Sequence, residues 1–107
     1  MTVTRIVLDC EGALDAHSAD RVKRDTLPLI DGQSDVVIDL SLVEFVDSVG
    51  LGVLVSLFKA ARSKGCSANF TGVSSNVRRV LEIIRLDEIF EVHPDLESAS
   101  RALVRRR

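Results

Sequence analysis

Apolar and polar positions change rhythm several times along the chain, and each rhythm predicts a local structure. In "TRIVLDC", Ile6, Leu8 and Cys10 alternate with polar or mixed positions, the period of a strand. "EGALDAHSAD" then turns through Gly12 and offers Asp15 or Ser18 as a helix cap. Val22, Thr26, Leu29 and Ile30 recur at i, i+4, i+7 and i+8, the buried stripe of a helix. Pro28 has no N–H to donate and should kink or end that helix. "DGQS" is a turn, and "DVVIDL", a short run rich in β-branched residues, predicts a central strand.

"VEFVDSVGLGVLV" changes character in its middle, being extended and apolar up to Val46 and helical from Gly50 onward. Asp47 and Ser48 sit at the change. Leu51, Val55, Phe58 and Arg62, with Leu54 and Ala61 alongside, trace the helix. Lys59, Arg62 and Lys64 then lead into Gly65, the cation-then-glycine ending of a helix. "CSANFTGV" is the next strand, followed by capping residues Ser74, Ser75 and Asn76 and a stripe of Val77, Val80, Leu81 and Ile84. "EIFEVH" predicts a short last strand. Pro94 and Asp95 open a C-terminal helix with Leu96, Ala99 and Leu103 on one face. The order β-α-β-α-β-α-β-α implies one α/β domain over residues 1–107, with four mostly parallel strands and helices packed over them.

Composition narrows the function classes. Four Phe with no Trp or Tyr leave an aliphatic core and few stacking platforms, which counts against single-stranded nucleic acid. Net charge is −2, and the only basic cluster is Arg101, Arg105, Arg106 and Arg107, read as the solvated end of a helix whose dipole it complements. Cys10 and Cys66 lie in neither CxxC nor zinc spacing and read as small core residues of a reducing compartment. The N-terminus lacks a basic-then-apolar signal region, and no apolar run approaches the ~18 residues of a membrane span. The expectation is a cytoplasmic protein without membrane insertion or direct nucleic-acid binding.

Enzyme signatures fail. A nucleophile elbow needs G-x-S-x-G, and Val46 stands where its first glycine belongs. Gly50-Leu51-Gly52 is not a phosphate loop, and His17 and His93 have no metal-ligand spacing. Asp39 at the end of a strand resembles a receiver phosphoacceptor, but no lysine follows Lys64 to complete such a site. The Asp47-Ser48 junction remains. Ser48 at a helix start can cap free N–H groups, worth about 1 kcal/mol. The same groups and the helix dipole favour a phosphate there, adding ~1.5–2 negative charges to an exposed corner.

"GALDAHSAD", "VVIDLSLVEFVDSVGLGVL" and "SKGCSANFTGVSSNVRRVLEIIRLDEIFEV" together resemble the STAS family, specifically its bacterial anti-sigma factor antagonists. The D-S-x-G-L-G core, Asp47 to Gly52, is the most specific part. The resemblance implies that Ser48 is phosphorylated by a partner that is both serine kinase and anti-sigma factor. The unphosphorylated antagonist binds that partner and frees a sigma factor; phosphorylation ends the binding, and a metal-dependent serine phosphatase resets it. ATP and Mg²⁺ belong to the partner, so no cofactor is implied for this chain. The segment "LDAHS" is implied to lie near the serine, which makes Asp15, Ala16, His17, Asp47, Ser48, Val49, Gly50 and Leu51 the expected partner-binding residues. Both loops should leave the C-terminal ends of parallel strands, provided "RIVLDC" and "VVIDL" run parallel.

Family members usually carry a further strand before the one matching "RIVLDC", and only Met1 to Thr4 are left for it. A short or missing edge strand would expose the sheet edge and favour a homodimer through it. The alternative implied by the resemblance is a STAS subunit of a lipid-trafficking ABC transporter complex. Such subunits carry threonine at the serine position, so Ser48 and Gly52 favour the antagonist.

Overall fold

The computed structural model describes residues 2–105. Its strands are β1 (Thr2–Val7), β2 (Gly12–Leu14), β3 (Ser34–Asp39), β4 (Val43–Val46), β5 (Ala68–Thr71) and β6 (Val92–His93). Its helices are α1 (Ala19–Thr26), α2 (Ser48–Ser63), α3 (Ser75–Ile83) and α4 (Leu96–Arg105). A parallel sheet runs in the order β1-β3-β5-β6, and β2 and β4 form a separate parallel ladder. The α/β alternation of the sequence is therefore present, with β1 parallel to β3 as expected.

Alternation along the strands separates two faces. Ile6, Val36, Ile38 and Phe70 turn into the main core and join Val22, Leu54, Leu57 and Leu81 from the helices. Val37 faces the other way and packs with Ala99 and Leu103 of α4, beside half-buried Val3. That second face is partly polar. Asp39 holds Arg5 there, and Asn69 Nδ2 donates to the Ala99 carbonyl at 2.9 Å.

Several sequence-based expectations need correction. Two strands, β2 and β4, were not expected as a ladder: "EGAL" read as a turn, and Val43 to Val46 only as an extended approach. The first strand begins at Thr2 and ends at Val7, so Thr2 to Thr4 belong to it and, among the described residues, no strand precedes it. The strand expected over "CSANFTGV" is only Ala68–Thr71. Within "EIFEVH" only Val92 and His93 are extended, because Leu86–Glu88 is a 3₁₀ turn that drops Phe90 into the core. The buried face of α2 is Gly50, Val53, Leu54, Leu57 and Ala61; the expected stripe of Leu51, Val55 and Phe58 flanks it, and Arg62 is exposed. Ile84 lies beyond the end of α3 and is 45% exposed. Pro28 ends α1 as expected, opening a 3₁₀ turn over Leu27–Leu29. Within the basic C-terminus Arg101 pairs with Glu97 on α4, while Arg106 and Arg107 lie outside the described residues.

Candidate functional site

The junction between β4 and α2 is built on Asp47. Its backbone is extended, and its side chain caps α2: Oδ1 accepts the Gly50 N–H at 2.8 Å. Its carbonyl accepts the Leu51 N–H at 2.9 Å. The second carboxylate oxygen is not idle, because Oδ2 accepts the Ala16 N–H at 3.3 Å. One side chain thus ties the start of α2 to a loop thirty-one residues earlier in the chain. The Asp47 N–H also donates to the Leu14 carbonyl at 3.3 Å, extending the β2–β4 ladder into the site.

Asp47 therefore holds the cap that the sequence offered to Ser48. Ser48 is the first helical residue, is exposed, and its hydroxyl makes no hydrogen bond among the described residues. Capping by Asp47 also consumes the Gly50 N–H, so fewer free donors face Ser48 than a bare helix start would offer. A phosphate on Ser48 would meet the positive end of the helix dipole and, one residue away, the Asp47 carboxylate. The two fields oppose each other.

Gly50 is a steric requirement. A Cβ there would lie 1.9 Å from the Leu14 carbonyl oxygen and 2.8 Å from Val46 Cγ2. The first turn of α2 rests directly on the end of β2. Gly52 differs, with nothing within 4 Å of where its Cβ would be.

The loop after β2 is rigidly organised by its own polar groups. Asp15 Oδ1 accepts the His17 N–H at 3.0 Å and the Ser18 N–H at 3.2 Å. Ser18 donates its hydroxyl to the Ala13 carbonyl at 2.7 Å and accepts the Asp15 N–H at 3.1 Å. Ser18 stands before α1 without capping it by its side chain. These bonds turn the Ala16 and His17 side chains outward. An open cleft of about 380 Å³ adjoins the loop, lined by Cys10, Glu11, Asp15, His17 and Arg21 among others. Burial raises the Cys10 thiol pKa above its ordinary value.

Of the eight residues nominated from sequence, Ala16, His17, Ser48 and Val49 are exposed together around the Asp47 link. Asp15 and Asp47 are half-buried and engaged in bonds that hold the backbone. Gly50 is buried, and Leu51 leans on the core. The two loops do leave parallel strands at their C-terminal ends, but the strands are β2 and β4 rather than β1 and β3. Sequence reasoning missed Phe45, which is 56% exposed on β4 and pairs in register with Ala13, close to the same loop. An aromatic in a chain with only four was the available signal.

The remaining polar candidates have structural partners. Asp39 is buried; burial alone would raise its pKa, but hydrogen bonds from Ser41 and the Arg5 guanidinium outweigh this and hold it below the ordinary value. His93 Nε2 lies 3.0 Å from Glu91 Oε1. Among the described residues no group of three or more His, Cys, Asp or Glu is placed to hold a metal ion, and no helix is long and apolar enough to cross a membrane.

The STAS domain family model matches residues 2–99. The chain is similar to the anti-sigma-B factor antagonist of Bacillus subtilis (strain 168), with 31% identity over 87 residues that cover 81% of this chain and 80% of that one. Among solved structures it is similar to an anti-sigma factor antagonist from Mycobacterium paratuberculosis, at TM-score 0.77 and 26% identity, covering 91% of this chain and 83% of that one. The STAS domain of a SulP transporter from Vibrio cholerae superposes with a TM-score of 0.72 over 97% of this chain and 82% of that one. At 18% identity that likeness is one of fold alone.

Proposed function

Because the chain belongs to the STAS domain family, we propose that it is an anti-sigma factor antagonist whose binding is switched at Ser48. In this reading the unphosphorylated chain binds an anti-sigma factor that is also a serine kinase. The kinase, with its own ATP and Mg²⁺, transfers a phosphoryl group to Ser48 Oγ; the hydroxyl proton leaves, the bond to ADP breaks, and the modified chain is released. A metal-dependent serine phosphatase restores it by hydrolysis. The chain itself is a cytoplasmic binding module, not an enzyme, and contributes the acceptor hydroxyl and the surface around it.

The observation that carries the reading is the division of labour between neighbours. Asp47 caps the helix, which leaves the exposed Ser48 hydroxyl without a structural duty. A residue so placed can gain a phosphate without unfolding the domain. At an interface, by contrast, the added charge is costly, on the order of 2–5 kcal/mol, or tens- to thousands-fold in affinity. Ala16, His17 and Val49 are exposed beside the Asp47 link to the Ala16 amide and supply the face on which that charge acts. The lipid-transport alternative draws no support from the antagonist relatives described above.

Mass spectrometry after incubation with the cognate kinase and ATP should find the phosphate on Ser48 alone. Calorimetry should show Ser48→Asp losing most of its affinity for the anti-sigma factor while melting close to the parent. Phosphate elsewhere with Ser48 bare, or parental affinity in Ser48→Asp, refutes the proposal.

A further inference from the structure

Three of the four phenylalanines of the chain converge at one place, away from the Ser48 corner. Phe90 stacks on Phe70 with ring centroids 4.4 Å apart, and Phe58 of α2 lies against Phe90 at 5.2 Å. Phe70 and Phe90 are buried, but Phe58 is only half-buried. The cause is the way α3 ends. Arg85 turns in the left-handed region, at φ 62, and the 3₁₀ turn Leu86–Glu88 follows. The Ile89 and Phe90 amides donate back to the Leu86 carbonyl at 3.0 and 2.7 Å, which sends Phe90 inward and leaves Ile89 57% exposed.

Between this turn and the second half of α2 lies a cleft of about 330 Å³, at the small end of the range for ligand sites. Val55, Phe58, Leu86, Ile89 and Phe90 form an apolar wall. Among the described residues its only charged lining groups are Lys59 and Arg62, both cations. The Arg62 guanidinium carbon lies 5.6 Å from the centroid of the Phe58 ring, within cation–π range. Among the described residues neither Lys59 nor Arg62 forms an ion pair. A second cleft of about 370 Å³ shares Phe58, Arg62 and Ile89 with the first and extends to Glu91, which lies 3.0 Å from His93.

We propose that the first cleft binds a small apolar monocarboxylate of the medium-chain fatty-acid class. Its apolar body lies against Phe58, Leu86 and Ile89, and its carboxylate meets Lys59 and Arg62 at the rim. The wall selects an apolar body, and two cations with no acid beside them in the lining select an anion over an amine or an alcohol. Arg62, held over a ring, keeps its N–H donors for a carboxylate, which it can engage with two of them. Glu91 disfavours a second negative group in the neighbouring cleft, so a monoanion fits better than a dianion. A second copy docked two-fold on this face would bring two more cations to the same rim, which is unfavourable. Phe58 follows Ser48 by ten residues, about 15 Å along α2. The site is therefore distinct from the proposed switch, and its occupancy requires no kinase.

Decanoate titrated into the whole chain should move the amide resonances of Phe58, Ile89 and Phe90 saturably, with a Kd of about 0.1–1 mM for a molecule of that size. Hexanoate should bind roughly tenfold more weakly or worse, because it buries fewer methylenes. Decylamine, with the same tail and the opposite charge, should bind at least tenfold more weakly than decanoate. The double variant Lys59→Gln, Arg62→Gln should weaken decanoate by roughly tenfold and leave circular dichroism unchanged. Ile89→Glu, at an exposed position, puts a carboxylate at the mouth and should reverse the preference toward decylamine. No saturable shifts at these residues up to about 5 mM decanoate overturns the proposal. So does equal binding of decylamine, or a preference that survives Ile89→Glu. Binding only to anionic vesicles, with monomeric decanoate ignored, also overturns it.

Discussion

Alanine at Gly50 and alanine at Gly52 are the same chemical change two residues apart, and the structure gives them opposite signs. At Gly50 the new Cβ would sit 1.9 Å from the Leu14 carbonyl oxygen and 2.7 Å from its carbon, both backbone atoms. The start of α2 and the end of β2 must separate by about 1 Å to relieve that contact. Overpacking of this kind costs typically 1–3 kcal/mol and sometimes more. The movement also stretches the Asp47 bonds to Gly50 and Ala16, each worth about 1 kcal/mol. Alanine's better helix propensity returns about 1 kcal/mol. The net expectation is a loss of about 2–4 kcal/mol, or roughly 10–25 °C in Tm for a domain of this size. Gly52 has open space around it, so alanine should stabilise by about 0.5–1 kcal/mol. Urea denaturation of the two variants beside the parent measures both values. Equal effects in the two, or a Gly50→Ala as stable as the parent, would refute the claim that α2 is seated on β2 at this residue.

Three further outcomes follow from the site and its surroundings. Asp47→Ala should lose about 1–2 kcal/mol by denaturant unfolding, whereas Asp47→Asn keeps a capping oxygen, loses less, and should still speed hydrogen exchange at the Ala16 amide because an NH₂ cannot accept from it. Asp15→Asn retains the acceptor for the His17 and Ser18 amides and should change stability by less than about 0.5 kcal/mol; reduced affinity for the anti-sigma factor is expected, and unchanged affinity would confine Asp15 to the turn. Asp39 has its folded pKa below the ordinary 3.8, so its contribution is present above that value and is lost as pH falls through the folded pKa. Acid titration of unfolding free energy should therefore be shallower below about pH 4 in Asp39→Asn, which also loses stability at neutral pH.

Much of the fold could be read from the chain because its main sheet uses strong signals. The β-branched run of β3 and the alternation around Ile6 need no tertiary information to be recognised. β2 and β4 are different. They hold three and four residues, and only Leu14, Val43 and Val46 among them are buried, too few for a period of two to appear. The phase of α2 was hidden for the opposite reason. From Leu51 to Ala61 apolar residues occur nearly all round the helix, and what selects the inner face is the close approach at Gly50, which no periodicity reveals. Asp47 and Ser48 are both good caps, and the choice between them depends on where β4 ends. The end of α3 was missed because it closes through Arg85 at φ 62 rather than through a glycine. The serine and the loop are legible from residue chemistry and family resemblance, whereas the role of Asp47 in joining them depends on the fold, which brings the Ala16 amide within reach of its carboxylate.

The bonds that bring the loop after β2 to the start of α2 are made almost wholly with main-chain groups: the amides of Ala16, His17, Ser18 and Gly50 donate, and the carbonyls of Ala13 and Leu14 accept. The side chains of Ala16, His17 and Val49 take no part in that framework and can be exchanged without disturbing it. Address and chassis are therefore separate. On the proposed reading, duplicated copies of such a gene can drift apart in whom they recognise while keeping the same Asp47–Ser48 corner, so that several such switches can run side by side with little crosstalk.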